Sequence, residues 1–209
     1  MLKTKLAALI LAAGSALAIA PSAHAATDYF MRVDPGPGNT QILGESQDLS
    51  FPGKQGYIQI KSFSYGVENP TTIAAQTGGA GTGKAKFNEL EIEKDVDSTS
   101  PQIFQVLAQG QHFNGIEIIA RKAGPTATAV PVASRSYLSL AFPTSDQQSA
   151  NAGEDTTQEK LTFSYGGLAL KYVGQTPTGV AKPAVLAKWS QITNSTLWDQ
   201  MAPLPIDMS

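Results

Sequence analysis

Apolar and polar residues alternate along most of this chain, with a period of two. Successive side chains of a β-strand point to opposite faces of a sheet, so this alternation is typical of strands with one buried face. An opening strand is predicted at residues 28–33. Further alternating, β-branched or aromatic segments are predicted as strands at residues 57–65, 86–93, 115–121, 136–142 and 161–173. The chain is therefore predicted to be mainly β.

One segment, residues 98–110, has helical spacing instead. Its apolar residues are Ile103, Phe104, Val106, Leu107 and Ala108. Ser100 suits the N-cap, Pro101 the first helical position and Gly110 the C-terminal stop. A single short helix among seven to nine strands predicts a closed or nearly closed β-barrel with the helix packed on its outside.

The first 25 residues have the pattern of a secretory signal peptide. Two lysines precede an uncharged apolar run, and small residues end the segment at Ala23 and Ala25. This order predicts export, with cleavage between Ala25 and Ala26. The predicted organisation is a signal peptide at residues 1–25, one barrel domain at 26–195 and a tail at 196–209.

Charge and cysteine content exclude several functional classes. The full chain has 15 Lys and Arg against 17 Asp and Glu, and signal removal would take Lys3 and Lys5 with it. The exported product would thus be mildly acidic, with no basic run, which argues against nucleic-acid binding. Zero cysteines exclude disulfides, thiolate metal sites and cysteine nucleophiles. No segment after the signal is long and apolar enough to predict a membrane span.

A glycine-rich segment, residues 78–84, has the spacing of a phosphate-binding loop. The next residue is Ala85 rather than Ser or Thr, and the following residues alternate like a strand. A phosphate loop must open a helix to direct its amides at the anion. We therefore interpret this segment as a flexible loop, and no cofactor is predicted.

Two other candidates for chemistry also have simpler explanations. Glu89, Glu91 and Glu93 share one strand face and could bind calcium, but a solvated face opposite Leu90 is the favoured interpretation. His112 is the only histidine after the signal, and the sequence contains no G-x-S-x-G nucleophile motif. No catalytic residue and no metal site are predicted.

Several motifs follow one another along the chain. They are DYFMRVD at 28–34, ILGES at 42–46, IKSFSYGV at 60–67, the strand, helix and loop at 87–113, ARKAG at 120–124, the late strand at 159–173 and KWSQITN at 188–194. Read in this order, they resemble the Hcp family of bacterial type VI secretion systems. The resemblance covers residues 28–194, and the order and spacing of its motifs make it specific.

The resemblance implies a β-barrel of two packed antiparallel sheets with one flanking helix. It further implies a homohexameric ring that stacks into a secretion tube and carries secreted cargo or contacts other apparatus proteins. The family's lumen position falls on Ser64, so Ser62 and Ser64 are the candidate lumen face. The candidate ring or stacking contacts are Gly44, Glu45 and Ser46, together with Gly78, Gly79, Gly81, Gly83 and Lys84.

Two features depart from the family's usual pattern. The signal peptide would deliver this chain to the periplasm or the cell exterior. The tail also extends past the family's usual end, and its apolar residues predict docking on a groove of its own subunit or a neighbour. The alternative function is a monomeric periplasmic or extracellular module that binds a carbohydrate or a protein. A hydrolase is the third hypothesis.

Overall fold

The computed structural model describes residues 27–36, 40–46, 48, 56–73, 80–82, 84–122, 132–153, 155–176, 178, 180–198 and 204. The predicted signal peptide, its cleavage site at Ala25 and Ala26, and Gly78, Gly79 and Gly83 of the glycine-rich segment lie outside these residues. Within the described part, strands dominate and one helix is present, which confirms the mainly β prediction.

The described residues form twelve strands and one helix. The strands are β1 (Thr27–Asp34), β2 (Tyr57–Ile60), β3 (Ser62–Ser64), β4 (Val67–Glu68), β5 (Thr71–Ile73), β6 (Ala80–Thr82), β7 (Lys86–Phe87), β8 (Leu90–Asp95), β9 (Phe113–Lys122), β10 (Val132–Ser149), β11 (Gln158–Tyr172) and β12 (Val185–Ser190). The helix α1 spans Ser100–Ala108 and lies between β8 and β9.

The main sheet curls round on itself through a corner at Lys61. Its strands follow the antiparallel order β2, β1, β9, β10, β11, β8, β3, and β12 adds to β11. The two end strands, β2 and β3, are separated in sequence by Lys61 alone, whose backbone N–H donates to the Glu93 carbonyl at 2.7 Å. The strand predicted at 57–65 is therefore two strands, one paired with β1 and the other with β8.

Alternate residues of these strands fill one central core. Met31, Ile58, Ile92, Ile118 and Phe163 belong to it and are almost completely buried. Burial of such side chains stabilises a fold by about 1.5–3 kcal/mol each relative to exposure. The core explains the period of two in β8 and in the first half of β11, where buried residues alternate with more exposed ones.

Helix α1 is shorter than the predicted 98–110, and its N-terminus is organised differently. Thr99, rather than Ser100, is the N-cap residue, and its side chain makes no capping hydrogen bond. Asp97 accepts the Thr99 backbone N–H at 2.9 Å in its place. The Ser100 hydroxyl instead donates to Glu159 at 2.8 Å, inside the protein. Ile103 and Val106 are the apolar residues of α1 that reach the core.

The strand predicted at 136–142 extends beyond both of its predicted ends, as β10. β10 continues to Ser149 and pairs with the start of β11, as in the partnership of Gln147 with Lys160. An exposed hairpin end needs no apolar face, because its backbone hydrogen bonds hold it together. β12 was also absent from the predicted strands, since its first three residues are exposed and do not alternate.

Candidate assembly surfaces

A long hairpin arm extends from the barrel. Residues 62–73 run antiparallel to residues 80–95 through three paired segments, β3 with β8, β4 with β7 and β5 with β6. Between the first two segments the Asn88 N–H donates to the Gly66 carbonyl at 2.9 Å, which keeps the two halves of the arm together. Among the described residues, β5 and β6 form a sheet of their own.

The base of the arm presents a polar outer face. Ser62 donates to Glu93 at 2.9 Å, Lys160 lies 3.1 Å from Glu91, and Ser164 donates to Glu89 at 2.9 Å. The three glutamates are exposed, as a solvated face requires. Each glutamate has a protein partner of its own, and no cluster in the described part of the chain has the three acidic or histidine ligands that a metal needs.

The candidate lumen residues lie on this same polar face. Ser62 and Ser64 are exposed, whereas Phe63 and Tyr65 pack against the core. The rings of Phe63 and Tyr65 are stacked with centroids 5.9 Å apart. The serines thus face outward because the aromatic residues that alternate with them pack against the core.

The corner at Lys61 carries a second polar group. The Lys61 ammonium lies 2.6 Å from an Asp95 carboxylate oxygen, and Thr156 donates to the same oxygen at 2.6 Å. The hydrogen bond from Lys61, with those from Thr156 and Gln158, lowers the pKa of Asp95. These contacts join the corner to the start of β11 on the surface.

The turn at residues 44–46 packs against the start of β2. A side chain at Gly44 would overlap the carbonyl group of Tyr57, so only glycine fits this close approach. The Ser46 N–H donates to that carbonyl at 3.2 Å, and the exposed Glu45 accepts the Ser98 N–H at 3.3 Å. Gly44 therefore has a role within the subunit, and Glu45 is the residue of the turn that is most open to a partner.

The described part of the glycine-rich segment contains strand β6, and strand β7 follows the segment. Gly81 belongs to β6, Lys84 is exposed, and β7 begins at Lys86. A phosphate-binding loop would lead into a helix instead. Gly81 and Lys84 thus lie on the hairpin arm.

Comparison with known proteins identifies the family. The sequence profile described as "Type VI secretion system effector, Hcp" matches residues 30–172, which is more than half of the chain. This chain belongs to the Hcp family.

Solved structures agree with this assignment. A chain described as the structure of a type six secretion system protein is 27% identical, with a TM-score of 0.70 over 81% of this chain and 99% of its own. Hcp1 from Salmonella typhimurium is 22% identical, with a TM-score of 0.60 over 81% and 98%. Secreted protein Hcp3 from Pseudomonas aeruginosa is 15% identical, with a TM-score of 0.53 over 79% and 98%. The last two likenesses concern the fold. No curated protein matches the chain.

Hcp is a structural protein of type VI secretion. In this chain the one histidine outside the predicted signal, His112, packs against an aromatic ring. The His112 ring is half-buried, with its centroid 4.8 Å from that of Phe142. Across the part of this Hcp chain that the structure describes, no helix has the length and apolar character needed to cross a bilayer.

A buried ionic cluster in this Hcp chain was not found from the sequence. The Lys94 ammonium is fully buried, 2.8 Å from Glu159 and 2.7 Å from Asp97. It also donates to the Ser100 hydroxyl and the Asp95 carbonyl, both at 2.9 Å. The cluster fixes the N-terminus of α1 to β8 and β11.

Asp97 of the cluster and Asp146 near it have opposite pKa shifts. Burial opposes ionisation of Asp97, but hydrogen bonds from Lys94 and Thr99 outweigh it, so the pKa of Asp97 is lowered. Asp146 on β10 has the opposite shift. Burial, together with the nearby charge of Glu159, raises the pKa of Asp146. One feature of the sequence indicates the cluster. Lys94 follows Leu90 and Ile92 at alternate positions of the strand, so its side chain is expected on the same buried face.

Proposed function

We propose that this Hcp-family chain forms a homohexameric ring that serves as a tube component or cargo carrier of type VI secretion. The observation that carries the ring is the hairpin arm, whose tip, β5 and β6, pairs with no further strand among the described residues. A two-stranded ribbon alone is marginally stable in water. Contact with a neighbouring subunit would therefore stabilise the tip of the arm.

The polar face around Ser62, Ser64 and Glu91 supports a lumen role in this proposal. Its residues are exposed, Glu93 accepts a hydrogen bond from Ser62, and Glu91 lies 3.1 Å from Lys160, so the face is hydrophilic. A wall of this kind suits a channel that must release its cargo. The ring contacts would come from the arm and from Glu45, which is exposed beside it.

We further propose that the chain is exported through its N-terminal signal peptide and acts as a periplasmic or secreted Hcp protein. Cleavage between Ala25 and Ala26 would leave all twelve described strands intact, because β1 begins at Thr27. N-terminal sequencing of the periplasmic or secreted product tests this step. A product that keeps Met1 would contradict it.

Light scattering of the Ala26 to Ser209 product tests the ring. A mass of six subunits is expected. A decisive variant replaces residues 70–84 with Asn-Gly, so that Asn69 and Ala85, which continue the register of β4 and β7, flank a two-residue turn. It should give a monomer with unchanged circular dichroism. The control shortens the exposed segment at residues 150–153 and should keep the hexamer. A parent protein that is monomeric would overturn the ring.

A further inference from the structure

A polar groove lies between helix α1 and the segment that precedes β2. Its cavity volume is about 370 Å³. Thr40 and Ile42 line it from the segment, and four glutamines together with Val106 line it from the helix and the residues just after the helix. The groove is separate from the hairpin arm and from the polar face at Ser62 and Ser64.

The geometry of α1 brings the glutamines together. Gln102, Gln105 and Gln109 are three and four residues apart, so their side chains share one face of the helix. Gly110 then takes a positive φ of 65°, which ends the helix and turns the chain back. The Gln111 N–H donates to the Val106 carbonyl at 3.0 Å as a result. Gln111 thus lines the same groove as the glutamines of the helix.

The apolar part of the lining is fixed by the core of the barrel. Ile42 is 2% exposed and Val106 is 7% exposed, and both belong to the central core cluster. Their side chains are therefore held in place by packing on the inner side. The groove combines a rigid apolar base with polar side chains that reach solvent.

Most of these amide groups are available for a ligand. The Gln102 side chain donates to the Ser98 carbonyl at 3.0 Å. Gln105, Gln109 and Gln111 are exposed, and within the described residues their side chains have no hydrogen-bond partner. These amides are hydrated, and a ligand with suitable polar groups can replace the water at little cost.

The chemistry of the lining selects an uncharged ligand rich in hydroxyl groups. None of the described residues that line the groove is charged. An amide side chain both donates and accepts, as the hydroxyl group of a sugar does. The helix C-terminus carries a partial negative charge, and its last turn has no basic residue, so an anion is disfavoured. Neither α1 nor the segment at 40–46 is a strand, so the groove has no sheet edge to which a peptide could add.

We propose that this groove is a binding site for a neutral oligosaccharide. The amides of Gln105, Gln109 and Gln111 exchange hydrogen bonds with the sugar hydroxyls, while the C–H face of a sugar ring lies over Ile42 and Val106. The site is built within one subunit and does not depend on the proposed ring. In a ring, the grooves of several subunits would act together on one polysaccharide, so a weak single site would give a much stronger attachment.

The test is saturation-transfer difference NMR with the Ala26 to Ser209 product, because this measurement detects weak binding to a protein of any size. The probes are maltotriose, cellotriose, mannotriose and triacetylchitotriose, each at about 1 mM. At least one of them should receive saturation on its ring protons. The double change Gln105→Ala and Gln109→Ala should weaken that binding about tenfold. Alanine is the best helix former, so the helix is retained.

The matched control is Gln147→Ala, which removes an exposed glutamine on β10, outside the groove, and should bind like the parent. Trigalacturonate has a similar size but is anionic, and acetylated triserine amide is an uncharged peptide with hydroxyl groups; neither should bind. Saturation of none of the four neutral sugars, equal binding by the double variant, or equal binding of the anion or the peptide would overturn the proposal. Light scattering of the same samples reports the ring separately, so failure of the groove leaves the ring standing.

Discussion

Replacement of Lys94 by Met removes the centre of the buried ionic cluster while keeping most of the side chain's volume. In the parent, the ammonium is fully buried and contacts Glu159 at 2.8 Å and Asp97 at 2.7 Å. The variant leaves Glu159, itself 1% exposed, without its cation. Glu159 retains hydrogen bonds from Ser100 at 2.8 Å and Gln148 at 3.1 Å.

The expected loss follows from this geometry. Removal of one partner of a buried ion pair costs about 3–5 kcal/mol, because the other charge stays buried. The remaining hydrogen bonds to Glu159 place the change towards the lower end. At about 2–4 °C of melting temperature per kcal/mol for a chain of this size, the Lys94→Met variant should melt roughly 6–12 °C below the parent.

The assay is urea unfolding followed by tryptophan fluorescence, with thermal melting in parallel. Lys160→Met is the matched control, because Lys160 pairs with Glu91 at 3.1 Å but both side chains are more than 40% exposed. An exposed pair contributes about 0–1 kcal/mol, so the control should unfold close to the parent. The same substitution is thus compared at a buried and an exposed position.

A second change separates the lost cation from the lost packing. Lys94→Met combined with Glu159→Leu removes the buried charge on both sides, and the double variant should be more stable than Lys94→Met alone. Equal losses for Lys94→Met and Lys160→Met would refute the argument from burial. A double variant that is less stable than Lys94→Met alone would refute the assignment to an unpaired Glu159.

Two further outcomes are expected. Burial raises the folded-state pKa of Asp146, so ionisation of this carboxyl destabilises the fold above that pKa, and the effect disappears below the pKa of the unfolded chain. The Asp146→Asn variant should therefore have a higher urea midpoint than the parent at pH 7 and the same midpoint near pH 3. The same midpoint as the parent at both pH values would contradict the raised pKa. Gly44→Ala should destabilise the fold by about 1–3 kcal/mol or more, because its methyl group would overlap the Tyr57 carbonyl. Gly174→Ala, whose methyl would have ordinary contacts, should change stability little, and similar melting temperatures for the two alanine variants would contradict the close approach.

The alternating strands could be predicted because one face of each is buried in a single core. The corner at Lys61 could not, since it depends on two different partners, β1 before it and β8 after it. The sequence did contain a local trace of the corner. Ile58 and Ile60 are apolar at even positions, whereas Phe63 and Tyr65 are apolar at odd ones. A reversal of phase of this kind marks the place where a strand changes its inward face.

The candidate surfaces were partly predictable for a similar reason. Ser62 and Ser64 face outward because Phe63 and Tyr65, which alternate with them, pack against the core, as a period of two predicts. The role of Gly44 was not predictable, because its tight contact is with a strand that begins at Tyr57. The contact of Trp198 with Tyr137 and Ala169 joins residues that are distant in the sequence, and no local pattern predicts it.

The position of β11 has a consequence for the order of events during synthesis. β11 joins β10 to β8, and it is the strand that turns an open sheet into a closed one. It comprises Gln158–Tyr172 of a chain of 209 residues. Until it has left the ribosome, the earlier strands have two free edges and an uncovered core, and closure by such distant pairing is slow. The nascent chain thus stays open for most of its synthesis, which is the condition that threading through an export channel requires.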